Sequence, residues 1–171
     1  MMLGWFGLSK TAPTGEADRL LQALTAELAA GGARLAGAVQ VNHDTGQDCA
    51  CDMDVLVIGE EDRPIRISQS LGLCSTGCRL DAGALETAAA RVEARLAGAE
   101  LLILPKFGRQ EAVGRGFYSV IAQAVVQGLP VLLHVPTEQR QAFADFTDGM
   151  AVEIAPDALA GWCRERLAGA A

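Results

Sequence analysis

ELLILPKFGRQEAVGRGFYSVIAQAVVQGLPVLLHV, residues 100–135, decides the fold. ELLIL at 100–104 and PVLLHV at 130–135 are continuous apolar runs of strand length, the pattern of strands buried on both faces. Between them lie a basic, glycine-rich loop, KFGRQEAVGRG, and an apolar helical segment, FYSVIAQAVVQ. A strand, loop, helix and strand in this order make a crossover between parallel strands. Working toward the C-terminus, the spacing predicts a helix through QRQAFADF, a short strand near MAVEI and a helix from Pro156 to Leu167. Toward the N-terminus, Leu85, Ala88, Ala89, Val92 and Leu96 share one face of a helix over 81–96, with Asp81 as its N-cap. Before it, MDVLVI at 53–58 and PIRIS at 64–68 flank the polar tip GEEDR and predict an antiparallel hairpin. LAGAVQV at 35–41 predicts a further strand. A helix over 15–30 carries Leu20, Leu21, Leu24 and Leu28, with Thr14 as N-cap and Gly31-Gly32 as its stop. The expected fold is α/β: three layers around a mainly parallel sheet with an inserted antiparallel hairpin, in a single domain over 1–171. Residues 1–14 are left open between an irregular tail, an edge strand and an interface.

Composition agrees with one folded domain. The 171 residues are 50% hydrophobic and 20% charged, too apolar for a disordered chain. The net charge of −7 argues against nucleic acid as a partner, so an anionic ligand needs a local basic site. No apolar run reaches the roughly 18 residues that span a bilayer, and MMLGWFGLSK lacks the basic start and small-residue cleavage site of a secretory signal. The expectation is a cytoplasmic protein without membrane insertion.

The basic site is found in the quoted loop. Residues 63–115 hold eight basic and five acidic residues, a +3 segment in a −7 chain. Lys106, Arg109 and Arg115 alternate with Gly108, Gly114 and Gly116 at the carboxyl end of a strand, where ligands of such sheets bind. Glycines let amides converge on an anion, and Lys and Arg supply charge and forked donors. The competing reading is a solvated turn whose basic groups meet carboxylates such as Glu111, which is also the loop's one candidate general base. Gly4–Thr11, GWFGLSKT, approximates a phosphate-binding loop but has Ser9 at the second glycine, and Pro13 and Gly15 interrupt the helix that should open at Lys10-Thr11. Efficient nucleoside-triphosphate hydrolysis is therefore not expected.

Cys49, Cys51, Cys74 and Cys78 form two close pairs on the loops around the hairpin, a set of thiolates that can hold Zn or an iron-sulfur cluster or remain reduced and buried. Cys163 beside Trp162 reads as core. Asp52 and Asp54, two apart on a strand, share a face and can bind a divalent cation or pair with Arg66 and Arg79. His134 reads as a core residue, and His43, beside Asn42 and Asp44, as one that can meet a ligand.

In order along the chain, VNHDTGQDCACDMDVLVI, IRISQSLG, GCRLDAGALE and LLILPKFGRQEAVGRGF resemble the blocks of an uncharacterised bacterial family whose genes often lie beside molybdate ABC-transporter genes. More distantly, the hairpin and KFGRQE look like a small P-loop nucleoside-triphosphatase family, in which an acidic sequence stands where this chain has Pro105-Lys106-Phe107-Gly108. The residues that match the blocks are Cys51, Asp52, Asp54, Arg66, Ser68, Gln69, Cys78, Arg79, Asp81, Lys106, Gly108, Arg109, Glu111, Gly114 and Gly116, with Cys49 and Cys74 as extras.

The resemblance implies a degenerate P-loop NTPase-like fold and a link to molybdenum metabolism. The expected ligand is an oxyanion, molybdate or tungstate, or a phosphorylated molecule. It would be held without efficient catalysis by Lys106, Arg109, Arg115 and Arg79 with the amides of Gly108–Gly116, and Ser68, Gln69 and Glu111 nearby. Two alternatives stay open. One is a nucleotide hydrolase or transferase using Mg, with Glu111 or Asp54 as base or ligand. The other is a Zn- or Fe-binding adaptor in cofactor assembly, with Cys51, Cys78, Asp52 and Asp54 at the metal. A homodimer, or a partner in molybdenum transport or cofactor assembly, completes the expectation.

Overall fold

The computed structural model describes residues 2–43, 52–69 and 80–169. In chain order the elements are β1 Leu3–Phe6, α1 Glu16–Ala30, β2 Leu35–His43, β3 Asp52–Val57, β4 Ile65–Arg66, α2 Ala82–Glu93, β5 Leu101–Leu104, α3 Arg109–Ala112, α4 Tyr118–Val126, β6 Val131–His134, α5 Arg140–Thr147, β7 Val152–Glu153 and α6 Leu159–Ala168. The strands form one sheet in the order β4-β3-β2-β5-β6-β1-β7. β2, β5, β6, β1 and β7 pair in parallel, and β3 and β4 add an antiparallel hairpin at one side.

Alternation along the strands makes the three layers. In β5, Leu101 and Ile103 pack toward α1 and α6 with Leu21, Leu24 and Leu159, while Leu102 and Leu104 pack toward α2 and α4 with Leu85, Val92 and Ile121. All four β5 side chains are buried, as the apolar run requires. Asp81 caps α2 by accepting the Ala84 amide at 3.0 Å, a contact whose loss costs about 1 kcal/mol in helices generally.

Two features differ from the sequence expectation. Leu3–Phe6 is an interior strand, with Leu3 opposite Val131, Phe6 opposite His134 and β7 on its other side. Four residues are too few to show a periodicity, and only the flanking strands supply their hydrogen-bond partners. The N-cap of α1 is Gly15 rather than Thr14, because the Pro13–Glu16 turn places Thr14 outside the helix.

Gly37 marks where β2 passes from β5 to the hairpin. Its φ is +127°, and a Cβ there would lie 1.8 Å from the Ile103 carbonyl oxygen, so only glycine permits this approach. His43 and Asp52 thereby reach the same end of the sheet as the carboxyl ends of β5 and β6.

Candidate functional site

Lys106 stands at the carboxyl end of β5 between two anchored neighbours. Pro105 is buried, and Phe107 is wholly buried against Phe143 and Phe146, with its amide donating to the His134 carbonyl at 2.9 Å. Lys106 itself is half-buried and borders two cavities of about 350 and 480 Å³. Among the described residues it makes no hydrogen bond or ion pair within bonding distance. Its charge is felt by Asp18, Glu111 and His134.

The amides of Gly108, Gly114, Arg115, Gly116 and Phe117 are bonded within the protein and do not face an outside anion. Glu111 is 3% exposed and accepts the amides of Gly108 at 2.8 Å and Phe117 at 2.9 Å. The Gly116 amide donates to Glu86 at 2.5 Å, and those of Gly114 and Arg115 donate to the carbonyls of Glu111 and Gln110. Burial raises the Glu111 pKa above its ordinary value, against the lowering effect of the amides of Phe117, Gly108 and Glu111 itself and of Lys106. Gly116 has a φ of +58°, and a Cβ there would meet Glu111 Oε1 at 2.2 Å, so this glycine makes room for the internal carboxylate. The loop closes on Glu111, which lies within it one turn from Gly108, and on Glu86 of α2.

The chain between β1 and α1 has the place of a phosphate-binding loop without its equipment. Lys10 and Thr11 sit in a turn well before α1 opens at Glu16, and the amides of Thr11 and Ala12 donate to Ser9 Oγ and the Ser9 carbonyl. The first turn of α1 carries Glu16 and Asp18, carboxylates that favour the helix terminus but repel phosphate. Burial raises the Asp18 pKa, against its hydrogen bond from Asn42 at 2.7 Å and the charges of Lys106 and Arg19.

Against the family described as "Protein of unknown function (DUF2478)", residues 9–162 match. The chain belongs to this family. It is 35% identical over 145 residues to "Molybdenum import ATP-binding protein ModC 2" of Bradyrhizobium diazoefficiens, which covers 83% of this chain. The chain spans only 16% of that protein's length. The crystal structure of THEP1 from the hyperthermophile Aquifex aeolicus superposes with a TM-score of 0.63 over 96% of each chain at 13% identity. The fold of this DUF2478 protein is therefore α/β and P-loop NTPase-like, with a mostly parallel mixed sheet. No helix among the described residues is long and apolar enough to cross a membrane.

The structure separates some of the DUF2478 residues singled out in the sequence. Lys106, Gly108, Arg109 and Glu111 border the 350 Å³ cavity. Gly114, Arg115 and Gly116 border a different one, with Gly83, Glu86 and Ser119. Ser68 accepts the Met53 amide at 3.0 Å and reaches Asp52 at 3.3 Å, and Gln69 donates to the Leu80 carbonyl at 3.1 Å, contacts that join the hairpin to the start of α2. Arg66 bridges Asp52 at 2.9 Å and Asp54 at 2.5 Å, and His43 adds a 2.8 Å contact to Asp54. Burial alone would raise the Asp54 pKa, but the hydrogen bonds from Arg66 and His43 outweigh it and hold the group ionised. Cys51, Cys78 and Arg79, with Cys49 and Cys74, lie outside the described residues. Among the described residues no cluster of three or more His, Cys, Asp or Glu is arranged for a metal ion.

His134 is half-buried with its ring 5.2 Å from that of Phe6, and burial, reinforced by Lys106 and Arg140, pushes its pKa down to about 4. Cys163 is wholly buried, and burial pushes its thiol up to about 12. Sequence reasoning missed Gln40, Gln110 and Asp18. Gln40 carried a usable signal, a lone amide within the apolar run LAGAVQV.

Proposed function

We propose that this DUF2478 protein is an oxyanion-binding, non-hydrolytic relative of P-loop NTPases that serves molybdenum handling. Its ligand is molybdate, tungstate or a phosphorylated molecule, held by Lys106 and Arg109. The observation that carries this reading is Lys106 itself, half-buried at a strand end, bordering two cavities and without a bonded carboxylate among the described residues. An ammonium group partly withdrawn from water is stabilised by an arriving anion, and a charge-assisted hydrogen bond contributes about 1.5–3 kcal/mol. Hydrolysis is disfavoured because α1 opens on Glu16 and Ala17 where a phosphate loop presents Lys and a hydroxyl residue. In addition, Lys106 stands where an acidic strand end would hold magnesium. The link to molybdenum is supported by the relative's name, and its much greater length favours a partner among molybdenum import components in the cytoplasm.

Titration calorimetry with molybdate, tungstate and phosphate tests the reading. Lys106→Ala combined with Arg109→Ala should weaken saturable binding at least about tenfold, the loss of one charge-assisted bond, with the circular dichroism spectrum unchanged. Equal affinity in the folded double variant overturns it.

A further inference from the structure

The 350 Å³ cavity beside Lys106 is larger and more apolar than an inorganic oxyanion requires. A tetrahedral oxyanion occupies roughly the space of two or three waters, about 60–90 Å³ at ~30 Å³ per water. This cavity falls in the ~300–1,000 Å³ range of organic-ligand sites. Its walls include Val55, Ile67, Leu85 and Phe117, all buried core side chains, with the partly buried Met53 and Leu80. Its cations are Lys106 and Arg109.

The remaining polar side chains of its lining are Gln40, Gln110, Gln139, Glu111 and Glu138. Gln110 Oε1 is buried with no hydrogen-bond partner among the described residues, which leaves an amide oxygen without a donor. Gln40, 4% exposed, also borders the cavity and uses its amide nitrogen to donate to Asn42 at 2.8 Å, which leaves its oxygen as the group it can offer a donor. A deprotonated oxyanion has no proton for either. Both Glu111 oxygens already hold amides, so that carboxylate does not compete.

From this we infer that the cavity takes an organic anion of the nucleoside-monophosphate kind: a flat heteroaromatic ring bearing N–H donors, joined to a phosphate-like group. The ring rests on the apolar walls, its N–H groups meet the side-chain amides of Gln40 and Gln110, Gln110 turning its covered oxygen toward the ligand, and the anionic end meets Lys106 and Arg109. The site adjoins the place beside α1 where a phosphate-binding loop would hold its ligand, and the two cavities share Lys106 and Glu138. The inference rests on the oxyanion reading for its charged end alone.

The test is calorimetric titration of the full chain with GMP, AMP, ribose 5-phosphate, inorganic phosphate and molybdate. At least one nucleotide should bind about tenfold or more tighter than ribose 5-phosphate and phosphate. Gln110→Leu should then reduce the nucleotide-to-phosphate affinity ratio about fivefold, as expected for one lost neutral hydrogen bond. Nucleotides no tighter than ribose 5-phosphate, or a ratio untouched by Gln110→Leu, overturn the inference. If molybdate and phosphate still bind through Lys106 in that case, the oxyanion reading survives alone. If none of the five binds, both fall.

Discussion

Two connections leave the same end of the sheet and flank one lysine, yet they dispose of their amides differently. After β1, the chain folds Thr11 and Ala12 back onto Ser9 and then enters α1 through Glu16 and Asp18. After β5, the amides of Gly108 and Phe117 close on a buried carboxylate, Glu111. The first connection is acidic where phosphate would sit. The second supplies its own anion and leaves Lys106 beside it without a bonded partner among the described residues. The contrast teaches that a glycine-rich basic loop becomes an anion cradle only when its amides face outward, and that a carboxylate within the loop can take that place.

The sharpest way to break the comparison is to remove the internal anion. Glu111→Leu should destabilise the fold by about 2–4 kcal/mol in urea unfolding at neutral pH, since two buried amides lose their acceptor. A loss near zero would mean that the loop does not depend on its carboxylate. The next effect is on pH. Because the folded-state pKa of His134 is depressed from 6.5 to about 4, its contribution to stability is complete above pH 6.5 and is lost as the pH falls toward 4. Unfolding midpoints at pH 7 and pH 5 should differ less in His134→Gln than in the unsubstituted chain, by on the order of 1–2 kcal/mol. Equal slopes would place His134 in a more hydrated setting than the β1 side of Lys106 implies.

Lys106→Ala should leave stability within about 0.5 kcal/mol while weakening oxyanion binding at least about tenfold. The reverse pattern would make Lys106 structural. The smallest effect belongs to the β1 side. Asp18→Asn removes a negative charge that Lys106 senses and should tighten oxyanion binding about two- to threefold at low salt, less at high salt. Unchanged affinity would show that the two connections act independently.

Much of this was legible before the structure. The apolar runs at 100–104 and 130–135, the hairpin around GEEDR and the Asp81 cap depend on local pattern, and each stands where the sequence places it. Strand β1 was not legible, because LGWF has no period of its own and becomes a strand only between β6 and β7. The site was half legible. Lys106 and Arg109 follow from a basic loop at a strand end, whereas the separation of Arg115 into another cavity follows from α3 turning the chain between them.

By itself, the sequence determined the elements, the α/β class and the concentration of positive charge after β5, because period, turn chemistry and charge are properties of neighbouring residues. Only the tertiary structure decided where the amides point, which carboxylate they hold and which glutamine oxygens are left over. Those outcomes depend on groups brought together from distant parts of the chain, such as Gly116 with Glu86 and Gln40 with the cavity beside Lys106. Hydrogen bonding in a buried space is settled by whichever partners arrive there, and a linear pattern does not name them.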